Sequence, residues 1–186
     1  MDMLPPPAIE SILATPAAGE KRFIVYFSGY ASGDNTPKGS RQTTIGERWG
    51  FAGGSGTYDD PITLAVGHSI TRGRDIPDYP RGTKFYVPYL RKYFSAQDSC
   101  GDGDTPQNGP CHTGYQGFVW LDVYIGDING ARAKSCETAI TDLHVVIQNP
   151  ARNYVVVPGS VVGSGCTVFA DDVVTDEVAK NNSGGK

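Results

Sequence analysis

The run GFVWLDVYIG at 117–126 alternates so cleanly that only one local structure suits it. Successive side chains on a strand point to opposite faces, so Val119, Leu121, Val123 and Ile125 share one side, and Trp120, Asp122 and Tyr124 share the other. Further β-branched or aromatic runs lie at KRFIVYFSGYA (21–31), PITLAVG (61–67), YPRGTKFYVPYL (79–90), KYFSAQD (92–98), HVVIQNP and NYVVVP. Each is short and cut off by turn residues; the chain holds 24 glycines and 13 prolines among 186 residues, which suits a turn-rich β-protein. About six to eight short strands at this spacing predict an all-β barrel or sandwich. SCETAITDL (135–143) is the best helix candidate, with Ser135 as N-cap and Glu137 in the first turn. The segment 32–56 reads as loop, and Ile9 to Ala14 as a helical turn or two at most. Residues 1–20 are therefore read as an N-terminal extension, 21–170 as the barrel domain and 171–186 as a polar tail.

Charge and composition exclude several classes. A net charge of −4 argues against a nucleic-acid partner, which would want a basic face. No apolar run approaches the roughly 18 residues of a membrane span, so no membrane association is expected. The three histidines, His68, His112 and His144, lack ligand spacing, and no metal or other cofactor is called for. GGSGT is Gly-rich, yet no GK[ST] follows it, so it is no phosphate loop. Cys100, Cys111, Cys136 and Cys166 contain no C-x-x-C pair; an even count in a Gly-rich β-chain predicts two disulfides and a secreted, extracellular protein. We expect the pairs Cys100–Cys111, closing a short polar loop with glycines, and Cys136–Cys166, tying the candidate helix to the C-terminal segment. Met1–Leu4 lacks the charged-then-apolar pattern of a signal peptide. The tail carries a glycosylation sequon, Asn181-Asn182-Ser183, which has meaning only in a secreted eukaryotic protein.

Two aspartates stand out because strand interiors are depleted in Asp: Asp98 ends its run, and Asp122 sits inside one. An aromatic–carboxyl–aromatic row such as Trp120-Asp122-Tyr124 suits sugars, since rings stack on pyranose faces and a carboxyl between them can protonate a glycosidic oxygen. The same row also fits an ordinary solvent-facing strand side.

The order of motifs adds weight to the sugar reading. Gly82-Thr83-Lys84-Phe85-Tyr86-Val87-Pro88, then Asp98, then Leu121-Asp122-Val123-Tyr124 resembles the "three-aspartate" double-psi β-barrel domain of murein lytic transglycosylases, over roughly residues 23–150. Family 45 endoglucanases, expansins and barwin-like proteins are similar in fold. The resemblance implies a six-stranded double-psi β-barrel with short helical decorations, with Asp122 as general acid and Asp98 as second carboxylate. Two carboxyls in one dry groove cannot both ionise easily, so one stays protonated and can act as acid. Trp120, Tyr124, Tyr58 and Asp59 are the expected substrate-binding residues. The sequence departs from the pattern by the insertion SCGDGDTPQNGPCHTGYQG, and by a lead aspartate that is not cleanly matched; Asp59 and Asp60 are the best candidates, with Asp34 behind them.

The function implied is a secreted glycoside hydrolase or lytic transglycosylase acting, as a monomer, on peptidoglycan, chitin or β-glucan. The alternative is a non-catalytic expansin-like or barwin-like module that binds or loosens the same polymers, because fold alone does not set function.

Overall fold

The computed structural model describes residues 18–169. The helical turn read at Ile9–Ala14, the tail and its sequon lie outside them. Ten strands form: β1 (Lys21–Ala31), β2 (Gln42–Ile45), β3 (Arg48–Phe51), β4 (Ile62–Val66), β5 (His68–Thr71), β6 (Arg74–Pro77), β7 (Lys84–Val87), β8 (Lys92–Ser99), β9 (Val119–Gly126) and β10 (Asp142–Gln148). Two α-helices, α1 (Pro110–Thr113) and α2 (Gly130–Ile140), and a 3-10 turn at Pro106–Asn108 join them. Six strands close a barrel in the order β1-β10-β7-β8-β4-β9, while β2–β3 and β5–β6 are separate two-stranded hairpins.

The barrel mixes two parallel pairs, β1 with β9 and β4 with β8, among antiparallel neighbours. Exchanging its first three strands in the chain (β1, β4, β7) with its last three (β8, β9, β10) returns the same ring of neighbours. The exchange also swaps the two parallel pairs. Two interlocked halves therefore build the wall, and chemistry near the β4–β9 seam draws on both.

The strand interiors follow the alternation. Val25, Phe27, Leu64, Leu121, Val123 and Ile125 are at most 1% exposed and fill the barrel. Val119 departs from its face at 39% exposure, because it opens the strand before the barrel covers it. Helix α2 lies over β1, burying Ala133, Cys136 and Ile140 at helical spacing. Its approach is close: a Cβ built on Gly29 would stand 2.8 Å from both Ile125 Cγ2 and Ile140 Cδ1, so a larger residue there would have to push these side chains aside. Both disulfides pair as expected, Cys100 with Cys111 and Cys136 with Cys166, at Cα separations of 5.7 and 5.6 Å. No helix among the described residues is long and apolar enough to cross a membrane.

Three expectations need correction. Segment 32–56 is not all loop, since β2 and β3 lie within it. The helix begins at Gly130 with Asn129 as its N-cap, five residues before Ser135, and Glu137 stands in its last turn. NYVVVP forms no strand: its backbone groups are taken by loops and side chains, with Val157 N–H donating to Arg91 O and Val155 O accepting from the Tyr86 hydroxyl at 2.6 Å.

Candidate active site

The outer face of β1 presents Tyr26, Ser28 and Tyr30, and β9 presents Trp120, Asp122 and Tyr124. The parallel register sets them side by side: Tyr26 against Trp120, Ser28 against Asp122, Tyr30 against Tyr124. On the other side of β9, Ala65 of β4 pairs with Asp122, and Ala65 pairs in turn with Asp98 of β8. One row thus crosses four strands as Ser28, Asp122, Ala65 and Asp98. Two strand spacings separate the aspartate backbones, roughly 10 Å. Between them stands only an alanine methyl, so the floor of the row stays open.

Two clefts meet at this row. One, of about 350 Å³, is lined by Asp98, Ala65, Thr44, His68, Asp75 and the inserted loop at Cys100–Gly103. The other, of about 570 Å³, is lined by Tyr26, Ser28, Trp120 and the α2 residues Lys134, Glu137, Thr138 and Thr141. Tyr30, Asp34 and Asp122 line both and mark the junction. Both volumes fall within the span of roughly 300–1,000 Å³ usual for ligand sites.

Among the described residues Asp122 holds one side-chain hydrogen bond: the Ser28 hydroxyl donates to its Oδ1 at 2.8 Å. Ser28 in turn accepts from Trp120 Nε1 at 2.6 Å, so the indole orients the serine and the serine orients the acid. Burial pushes the Asp122 carboxyl up to about 7, the carboxylates of Asp34, Glu137 and Asp98 push the same way, and Ser28 opposes them. Such a group carries its proton to near neutrality and can give it away.

Asp98 is 6% exposed and held by three donors: the Tyr30 hydroxyl at 2.6 Å, Thr44 N–H at 2.9 Å and Ser99 N–H at 2.9 Å. Burial raises its pKa, while those three bonds pull against the rise. Its bonds fasten β8 to β1 and to hairpin β2–β3.

Asp34 lies on the turn that follows β1 and accepts from Ala31 N–H at 2.7 Å. It is exposed, and its charge, after burial, raises the pKa of Glu137 on α2, with Lys134 acting in the opposite sense. Among the described residues no three His, Cys, Asp or Glu side chains could hold a metal ion together.

The expected site residues divide. Asp98, Asp122 and Trp120 line the joined clefts. Tyr124 is 4% exposed and packs edge-on against Tyr30 at 5.6 Å, supporting the floor from within rather than lining it. Tyr58 and Asp59 stand elsewhere, with the aromatic cluster of Tyr86, Tyr93 and Tyr154. Arg152 stacks over Tyr58 at 4.5 Å and pairs with the exposed Asp59 at 2.7 Å. The third carboxylate at the Asp122 junction is Asp34. Ser28, Tyr26 and Tyr30 were not singled out from the sequence; the period of two along KRFIVYFSGYA puts them on one face, but no sequence signal sets that face beside β9. The inserted loop lines the cleft, as its place between the two aspartates allows.

No solved structure matches this chain. An uncharacterised protein of Dictyostelium discoideum, DDB_G0273701/DDB_G0273221, is 30% identical over 136 residues, which are 72% of this chain and 53% of that protein. The chain thus spans about half the length of this curated relative. The model of the DDB_G0273701 N-terminal domain matches residues 23–167, from the third residue of β1 to beyond the second disulfide. The chain belongs to the DDB_G0273701 N-terminal domain family.

Proposed function

We propose that this domain is a secreted, polysaccharide-acting double-psi β-barrel in which Asp122 is the general acid. The exchange symmetry of the six barrel strands supports the double-psi reading. The two disulfides support an extracellular setting. One observation carries the catalytic reading. A carboxyl pushed up to about 7 and held by a single serine lies at the junction of two open clefts, beside Tyr26 and Trp120.

In this reading a glycan chain crosses the row at Asp122, and the protonated carboxyl donates to the glycosidic oxygen as the bond to the sugar carbon breaks. Ser28 keeps one oxygen engaged, so the proton sits on the side facing the cleft. Hydrolysis requires a second carboxylate to draw a proton from water. Asp98 has its oxygens committed to three donors, so that role falls to Asp34. In lytic transglycosylation Asp122, once deprotonated, takes a proton from the sugar's own hydroxyl, and an anhydro-sugar forms.

The test is release of soluble fragments from peptidoglycan, chitin and cellulose by the wild type and by Asp122→Asn. The wild type should release fragments from one of them below about pH 7, and the variant should not. Full activity in Asp122→Asn refutes the acid assignment. Binding without release by the wild type replaces it with the loosening-module reading.

A further inference from the structure

The larger cleft has a built character that its place beside Asp122 does not require. On one side stand two aromatic side chains in adjacent strands and in register, Tyr26 and Trp120, with centroids 4.7 Å apart and planes at 86°. Behind Tyr26 lies Tyr115, stacked at 4.3 Å with a tilt of 34°. Tyr115 belongs to the insertion that the Cys100–Cys111 disulfide pins, and it is 40% exposed. The opposite side is α2, which offers the Lys134 amine, the Glu137 carboxyl and the hydroxyls of Thr138 and Thr141.

From this arrangement we propose that the cleft between Tyr26, Trp120 and α2 is a subsite for one pyranose ring of an uncharged β-linked glycan, next to the linkage at Asp122. This inference rests on the polysaccharide reading above. A pyranose has apolar C–H faces and a rim of hydroxyls. One ring of the perpendicular pair meets a face of the sugar, and the helix meets the rim. The spacing suits one sugar unit: the Tyr26–Trp120 row and the Ser28–Asp122 row are two residues apart, roughly 6.5 Å along a strand. Asp34 and Glu137 outnumber the single Lys134 amine in this cleft, so its lining disfavours an anionic sugar and favours a neutral one. Tyr115 is a positioning residue: it backs Tyr26 and makes the wall depend on the inserted loop.

The experiment titrates chitohexaose and cellohexaose into the Asp122→Asn protein carrying Trp49→Phe. The chain has two tryptophans, and Trp49 is 68% exposed outside the clefts, so this leaves Trp120 as the fluorescent reporter. We expect a saturable change in Trp120 emission with one of the two sugars. Tyr26→Ala should weaken binding at least tenfold, Tyr26→Phe less than threefold, and Tyr115→Ala by an intermediate factor. Trp120→Leu, followed by calorimetry, should also weaken it at least tenfold, and keeps the test open if Tyr26→Ala fails to fold. Folded variants of Tyr26 and Trp120 that bind as tightly as their parent overturn the subsite, and continued fragment release by the wild type then leaves the proposed function standing. Binding of neither sugar also overturns the subsite; if in addition no polymer is cleaved or bound, the proposed function falls with it.

Discussion

The ends of β8 and the middle of β9 each carry an aspartate in the same cross-strand row, one on either side of Ala65. Burial raises both carboxyls. Among the described residues three donors converge on Asp98 and one on Asp122. A carboxylate encircled by donors is a strut, because each donor favours its charged, accepting form. A carboxyl with one donor and carboxylate neighbours holds its proton and keeps a side free for a ligand. The count of donors, more than burial, separates the two roles.

The comparison can be broken most directly at Asp122. Asp122→Asn keeps the volume and the Ser28 contact while removing the acid, so fragment release should fall roughly 10²–10⁴-fold, the usual share of general acid catalysis. Thermal melting at neutral pH should not fall with it. The mirror experiment is Asp98→Ala, which strands the Tyr30 hydroxyl and two backbone N–H groups. We expect about 3–5 kcal/mol of lost stability in urea unfolding. An unchanged unfolding midpoint would mean that Asp98 is no strut.

A pH series sharpens the contrast. Asp122 has a folded-state pKa near 7 and an ordinary value of 3.8, so between those pH values the folded state binds more protons than the unfolded one. Its contribution to stability is therefore fully present below about pH 4 and is lost as pH rises through 7. At about 1.4 kcal/mol per unit the ceiling is about 4 kcal/mol, and contact with the open cleft reduces it. His144 works in the opposite sense. Burial lowers it to about 4, so its contribution is present above its ordinary value of 6.5 and is lost as pH falls through 4. The informative quantity is thus the difference between Asp122→Asn and the wild type, which should grow in the variant's favour from pH 4 to pH 8. A flat difference would place Asp122 in an ordinary solvated setting.

The smallest expected effect is at the hydrogen bond that joins the two halves of the row. Tyr30→Phe removes one of the three donors to Asp98 and nothing else of size. Unfolding should show a loss of about 1–2 kcal/mol. Fragment release should change less than threefold, because Asp122 keeps Ser28.

Much of the barrel was legible along the chain. KRFIVYFSGYA matches β1, and the alternating run matches β9 from Val119 onward. Burial of a single face imposes a period of two, and that period is written locally. The hairpins β2–β3 and β5–β6 were not read, because they pack few apolar residues and their Arg- and Gly-containing segments show little period. Conversely NYVVVP has the composition of a strand and no partner edge in the fold, so composition misled. Ser135 has the side chain of an N-cap, but α2 begins five residues earlier at Gly130, where Asn129 makes no side-chain cap bond to mark the start.

The sequence alone determined that a carboxyl lies among aromatic residues on the outer face of one strand, because alternation is a property of neighbours in the chain. It also pointed to the short Cys100–Cys111 loop, while the second pair, 30 residues apart, is one of several pairings that the sequence allows. The choice of partners for Asp122 was decided only by the tertiary structure. Ser28 lies 94 residues away and reaches Asp122 through a parallel pairing that leaves no local mark. Asp34 is brought to the junction by the turn after β1, while Asp59, beside a tyrosine in the chain, is carried off to Arg152. Parallel register and loop path are set by the closure of the whole barrel, so no window of sequence contains them.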